Sequence, residues 1–165
     1  MLNYVKFILM YLFVLTLMII MGCAKIPENI PPTDKEMIAI FSDNKEVFDA
    51  LKENIYKDGY TVISITPEWS EPEEIPLAKK DIYYELLQKI KALQIIRRGE
   101  TVTISIWATG NVSGGDSKGY VFKPNDSKWP RDSKDSLDNL SFDGNELFLK
   151  CEIGNNWYLY FDHSL

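Results

Sequence analysis

Apolar and polar positions along the chain follow a helical period first and a period of two later. Val47, Phe48, Leu51 and Ile55 recur at helical spacing, with Lys45, Glu46, Asp49, Lys52 and Glu53 between them, which predicts an amphipathic helix lying on a sheet. Upstream, Thr33 with Glu36 makes a capping box and Asp43 with Glu46 resembles a second, so two helices, or one with a break, are expected before Gly59. Tyr60 to Thr66 is rich in β-branched residues and reads as a first strand ending at Pro67. Residues 67–77, with three prolines around Trp69, read as a loop. Asp81 is expected to cap a helix from Ile82 to about Leu93, with Leu86, Leu87, Ile90 and Leu93 on its apolar side.

From Ile95 onward the pattern changes to alternation. Val102, Ile104, Ile106 and Ala108 alternate with Thr101, Thr103, Ser105 and Trp107, which predicts a strand with an aliphatic row toward the helices and a wetter row behind it. Gly119 to Lys123 reads as a short strand. Glu146 to Ile153 reads as another, with Leu147, Leu149, Cys151 and Ile153 sharing a face. Gly154-Asn155-Asn156 is a hairpin turn, because these residues tolerate positive φ, and Trp157 to Asp162 returns as the last strand. Together the elements predict an α+β domain, two or three helices packed on one face of a four- or five-stranded, mainly antiparallel sheet.

The amino-terminal segment follows neither period. Lys6 precedes an apolar run from Phe7 to Met21 that stops at Gly22-Cys23, with Pro27, Pro31 and Pro32 close behind. About 15 apolar residues suit a secretory signal better than the roughly 20 of a membrane-spanning helix. Ile20-Met21-Gly22-Cys23 resembles the lipobox of bacterial lipoproteins, with a branched aliphatic residue three before the cysteine and a small one just before it. The resemblance implies cleavage before Cys23, a diacylglyceryl thioether on its sulfur and acylation of the new amino terminus. An uncleaved anchor is the alternative, and both put the domain outside the cytoplasm. The expected organisation is a signal peptide over 1–22, the lipidated cysteine and a Pro-rich tether over 23–32, and one domain over 33–165. Residues 24–32 in polyproline II, at about 3.1 Å each, hold the domain roughly 28 Å from the bilayer. Ala24-Lys25 after the cysteine, with no aspartate, implies outer-membrane sorting if the envelope is Gram-negative; in a Gram-positive cell the anchor lies on the outer face of the cell membrane.

Losing residues 1–22 removes one basic and no acidic side chain, leaving 24 acidic against 17 basic, a formal charge of −7. Nucleic acid is an unsuitable partner for such a surface, since phosphate neutralisation needs a basic stripe and the adjacent Arg97 and Arg98 have acidic and neutral neighbours. The expected membrane attachment is therefore through acyl chains alone. The glycines between Thr109 and Gly119 do not make a phosphate loop, because Lys118 is followed by glycine and a strand rather than by Ser or Thr and a helix; a flexible hairpin loop is expected. Asp126, Asp132, Asp135 and Asp138 fit no calcium-loop spacing and read as part of a solvated loop over 123–143. His163, the single histidine, stands near the carboxyl end where chains fray, and Cys151 reads as a small core residue. No catalytic residue, metal or cofactor is expected, and a hydrolase is the minor alternative.

What remains is recognition. Trp107 on the wetter face, with Tyr158 and Tyr160 opposite in phase to Trp157, offers aromatic anchors for a protein partner; the alternative is that they pack under the long loop. Glu71, Glu73 and Glu74 offer an acidic loop for a basic partner. The stretch from about residue 80 to 162, closing on Asn156-Trp157-Tyr158-Leu159-Tyr160-Phe161, is similar to small bacterial proteins of unassigned role, a likeness that brings no functional residues. The expected function is binding another protein at the envelope, as an immunity or inhibitor protein would, with a small ligand or cell-wall fragment as the alternative class. For the anchor, metabolic labelling with a fatty-acid analogue should mark the wild-type protein and not Cys23→Ser, and mass spectrometry should find residues 1–22 removed. Label retained in the serine variant would refute the lipoprotein reading.

Overall fold

A computed structural model describes residues 30–111, 114–124, 129, 134–141, 144–149 and 152–164. Cys23 with its lipobox, the tether up to residue 29, Cys151, and Asp126 and Asp132 lie outside them. From Pro31 onward the chain forms one compact unit.

The capping box forms as the sequence predicts: the Thr33 hydroxyl accepts from the Glu36 N–H at 3.3 Å, and the Thr33 N–H donates to Glu36 Oε2 at 2.7 Å, opening helix α1, Asp34–Asp43. These bonds stabilise the carboxylate and hold the Glu36 pKa below its ordinary value. The second box does not form. Asp43 is the last residue of α1, and Asn44 precedes α2, Lys45–Lys57, with its side-chain amide turned back onto the Ile40 carbonyl at 2.9 Å. Gly59, at φ +75°, ends the helical segment, and β1 follows over Val62–Ile65.

The Pro-rich stretch is shorter as a loop than its composition suggests, since Ser70–Glu71 forms β2 against β1. Helix α3 spans Leu77–Lys89 rather than starting at Ile82. The Pro76 carbonyl accepts from the Lys79 and Lys80 N–H groups, so the ladder begins there and Asp81 lies within the helix instead of capping it. At its end Ala92 N–H reaches the Leu87 carbonyl and Lys91 N–H that of Gln88, with Lys91 at φ +53°, a Schellman closure that throws Leu93 out of the helix and leaves it 45% exposed.

Among the described residues there are seven strands, more than the four or five expected. Besides β1 and β2 they are β3 Gln94–Arg98, β4 Thr101–Asn111, β5 Gly114–Phe122, β6 Glu146–Leu149 and β7 Trp157–Ser164, in the order β2-β1-β3-β4-β5-β7-β6, antiparallel throughout. The glycine-rich stretch supplies the arms of the β4–β5 hairpin rather than a loop. Thr109 pairs with Asp116 and Gly110 with Gly115, a pairing so close that a Cβ on Gly115 would lie 2.0 Å from the Thr109 oxygen. Asn155 and Asn156 take φ +53° and +64° in the predicted β6–β7 turn. Among the described residues no helix is long and apolar enough to cross a membrane.

Core packing lies between the helices and one face of this sheet. Met37, Phe41, Phe48, Leu51, Ile55, Tyr83 and Leu87 meet Ile63, Ile65, Ile95, Val102, Ile104 and Leu159, all at most 3% exposed. Phe48 is wedged edge-on against Tyr120 and Trp157, at ring-centre distances of 4.7 and 5.4 Å. The same face carries two buried cations, Arg97, which donates to the Ile55 carbonyl at 3.0 Å, and Lys118, 1% exposed. Its Nζ lies 3.0 Å from Asp34 Oδ1, 2.7 Å from Asp138 Oδ1 and 2.9 Å from the Pro32 carbonyl. Asp34 Oδ2 also accepts from the Leu137 N–H at 2.8 Å. Asp138, expected in a solvated loop, is thus a structural counter-ion that fastens the 134–141 segment to the start of α1. A buried charge stripped of its partner costs about 3–5 kcal/mol. Lys118→Met should lose about that much in denaturant unfolding, and adding Asp34→Asn should recover part of it.

Candidate functional site

All three helices pack on one face of the sheet, and register decides which side chains stand on the other, part of which is buried beneath Trp129. Pairing places Arg98 beside Thr101, Ile96 beside Thr103, Gln94 beside Ser105 and, on the far side of β4, Ala108 beside Ser117 and Asp162. These rows, with Leu93, Leu147, Trp129 and Tyr160, line a groove of about 390 Å³.

The groove exists because of a glycine. Gly119 pairs with Ser105 on one side and Tyr160 on the other, and the Tyr160 ring lies across the space a side chain would fill. Its hydroxyl meets Ser105 Oγ at 2.7 Å. Burial pushes the Tyr160 phenol pKa up, against the lowering effect of hydrogen bonds with Ser105 and Ser117, so it is neutral in use. Trp129 stands edge-on to Tyr160 at 5.6 Å and 71°, forming a wall together with Leu147.

The residues predicted from the sequence are distributed by this geometry rather than gathered. Tyr158 and Tyr160 are on the helix-free face, opposite to Trp157 as expected, but Tyr160 is 3% exposed and both pack in a second apolar cluster with Val121, Trp129 and Leu149. Trp107 is not there at all. A β-bulge between Ser105 and Trp107 makes Ile106 the extra residue and turns Trp107 to the helix face, where it is 9% exposed and packs 6.2 Å from the Phe161 ring. Glu71 pairs with Ser64 at the β2 edge, and Glu73 and Glu74 are exposed in the turn before α3. That edge is separated from Tyr158 and Tyr160 by β1, β3, β4 and β5, so the two predicted surfaces are not one site.

His163 lies inside β7 rather than in a frayed end. Its Nδ1 is 2.6 Å from Asp116 Oδ1, and Glu146 is its partner across β6. Among the described residues, no group of three or more His, Cys, Asp or Glu side chains is placed to hold a metal. The sequence reading missed Arg98, Gln94, Asp162, Trp129 and Leu147 as groove residues. The Thr101-Thr103-Ser105 row was visible by alternation, but which strands flank it depends on sheet order.

Because a Cβ on Gly119 would lie 2.1 Å from the Ile104 oxygen and 2.7 Å from Tyr160 Cε1, Gly119→Ala should destabilise the fold by about 3 kcal/mol through overpacking. Denaturant midpoints measure this, with Ser117→Ala as a milder comparison. An unchanged midpoint for Gly119→Ala would contradict the Tyr160 placement.

Compared with known proteins, the chain matches no family model, no curated protein and no solved structure.

Proposed function

We propose that this is a lipid-anchored binding protein of the bacterial envelope that holds a protein partner on the helix-free face of its sheet. The observation that carries the reading is the groove on the helix-free face, beside the second apolar cluster. A seven-stranded sheet covered by helices on one face presents a groove with aliphatic walls and two full charges, Arg98 and Asp162, on the other. Large uncovered surfaces of mixed apolar and charged character mark interaction sites. An acidic, tethered domain also suits an immunity or inhibitor role against a basic partner, whose association would be accelerated by charge. A small ligand or cell-wall fragment is the second reading, favoured by a groove volume within the roughly 300–1,000 Å³ of ligand pockets.

The chemistry proposed is recognition, with no reacting group. The His163–Asp116 pair is the feature a hydrolase reading would use, and it serves here to tie β7 to β5. A photo-crosslinking amino acid placed at Thr103, in the groove, should yield an adduct of defined mass in cells, whereas the same group at exposed Glu53 on the helix side should not. His163→Ala should leave the Thr103 adduct unchanged. Equal labelling at both positions, or none at either, would overturn the protein-partner reading; a groove protected by cell-wall fragments instead would favour the second.

A further inference from the structure

The groove has a chemistry of its own that narrows the partner. Most of its neutral polar groups already have partners inside the protein. The Tyr160 hydroxyl is bonded to Ser105, the Thr101 hydroxyl donates to the Lys123 carbonyl at 2.9 Å, and the Gln94 amide donates to Ser64 Oγ at 2.7 Å. The two aromatic rings are packed edge to face against each other, Trp129 being 7% and Tyr160 3% exposed, so neither offers an open face for stacking. A saccharide, which needs many uncommitted donors and acceptors and an aromatic platform, is poorly served.

What the groove does present is two charges of opposite sign with aliphatic surface beside them. Arg98 is exposed, forms no ion pair among the described residues, and has Val62 and Thr101 as its cross-strand neighbours. Asp162, at the other end, has Ser117 and Leu147 beside it, with the Ser164 hydroxyl 3.5 Å away. Leu93 and Ile96 flank the line between the two charges on the β3 side, and Leu147 on β6 lies just beyond Asp162, each adding apolar surface to the groove. Strand geometry sets the separation. Thr101 to Ala108 spans about 20 Å along β4 once the bulged residue is discounted, and β3 to β7 spans about 14 Å across the sheet, so the charges lie about 24 Å apart on the diagonal.

We infer that the groove binds an extended peptide segment of the partner, about seven residues long, whose backbone spans about 20 Å and whose terminal side chains reach the rest, with a carboxylate at the Arg98 end, a basic group at the Asp162 end and apolar side chains beside Ile96 between them. The inference rests on the reading that this face is the binding surface, and adds to it the class of occupant. An extended strand repeats its side chains on alternate sides, so one set enters the groove beside Ile96 and Thr103 while its other side remains in water. The two charges fix its register, because each misplaced charge would meet the wrong sign.

A display library of random linear decapeptides, panned on the full-length protein in detergent, tests this directly. Wild-type protein should enrich peptides carrying one acidic and one basic residue about six positions apart, with apolar residues between. Arg98→Glu should instead enrich peptides with two basic residues at that separation, and Asp162→Lys peptides with two acidic ones. An enriched wild-type peptide should bind either variant about tenfold more weakly, with the difference shrinking as salt is raised. Absence of enrichment, or enrichment indifferent to both reversals, overturns the peptide occupant. If the Thr103 crosslink persists in that case, the binding face stands and only its ligand was misidentified; if it too is lost, the binding face falls with it.

Discussion

Packing of all three helices on one face of the sheet is the constraint from which the rest follows. Helices α1, α2 and α3 place Phe41, Phe48, Leu51 and Leu87 against the strands, and each such side chain contributes about 1.5–3 kcal/mol when fully removed from water. Antiparallel sheets tolerate this asymmetry, since alternate residues need only one apolar row. The strand β4 shows it locally: Val102 and Ile104 point to the helices and are fully buried, while Thr101 and Thr103, alternating with them, line the groove. The helix-free face is therefore a consequence of how the core is built.

That face is nevertheless held in shape by its own packing. Gly119 lets Tyr160 lie flat on the sheet, Tyr160 engages Ser105, and Trp129 stands against Tyr160. The segment that follows Trp129 in the chain is pinned from the opposite side of the molecule, where Asp138 meets buried Lys118 and Leu137 meets Asp34. Lys118 also grips the Pro32 carbonyl, so a single ammonium joins the chain just before α1 to the 134–141 segment. Rigid support of this kind is what keeps a binding surface preorganised and limits the ordering cost of association.

Much of the architecture was legible in the sequence because it is encoded locally. The Thr33–Glu36 box, the helical stripe of Phe48, Leu51 and Ile55, the alternation through Val102 and Ile104, and the Gly154-Asn155-Asn156 turn each depend on residues within a few positions of one another, and each forms. The α+β class and the placement of helices against an antiparallel sheet follow from those periods alone. The short strands β2 and β3 escaped because a strand of two or five residues has too few alternations to stand out from a loop.

The candidate site was largely illegible for a different reason. Alternation assigned Trp107 to the helix-free face, and one inserted residue, Ile106, sent it to the core; a period-two pattern reverses its meaning at every bulge. Asp138 looked like one of several loop aspartates until the fold set it against Lys118, 20 residues away in sequence. Arg98 and Asp162 belong to strands separated by β4 and β5, and only sheet order brings them to the two ends of one groove. The sequence by itself determined the main helices, the alternating strands and the acidic charge, which depend on composition and on neighbours along the chain. Tertiary structure alone decided which face the helices leave free and which charges frame its groove, because pairing register and bulges are set by long-range contacts that no local pattern records.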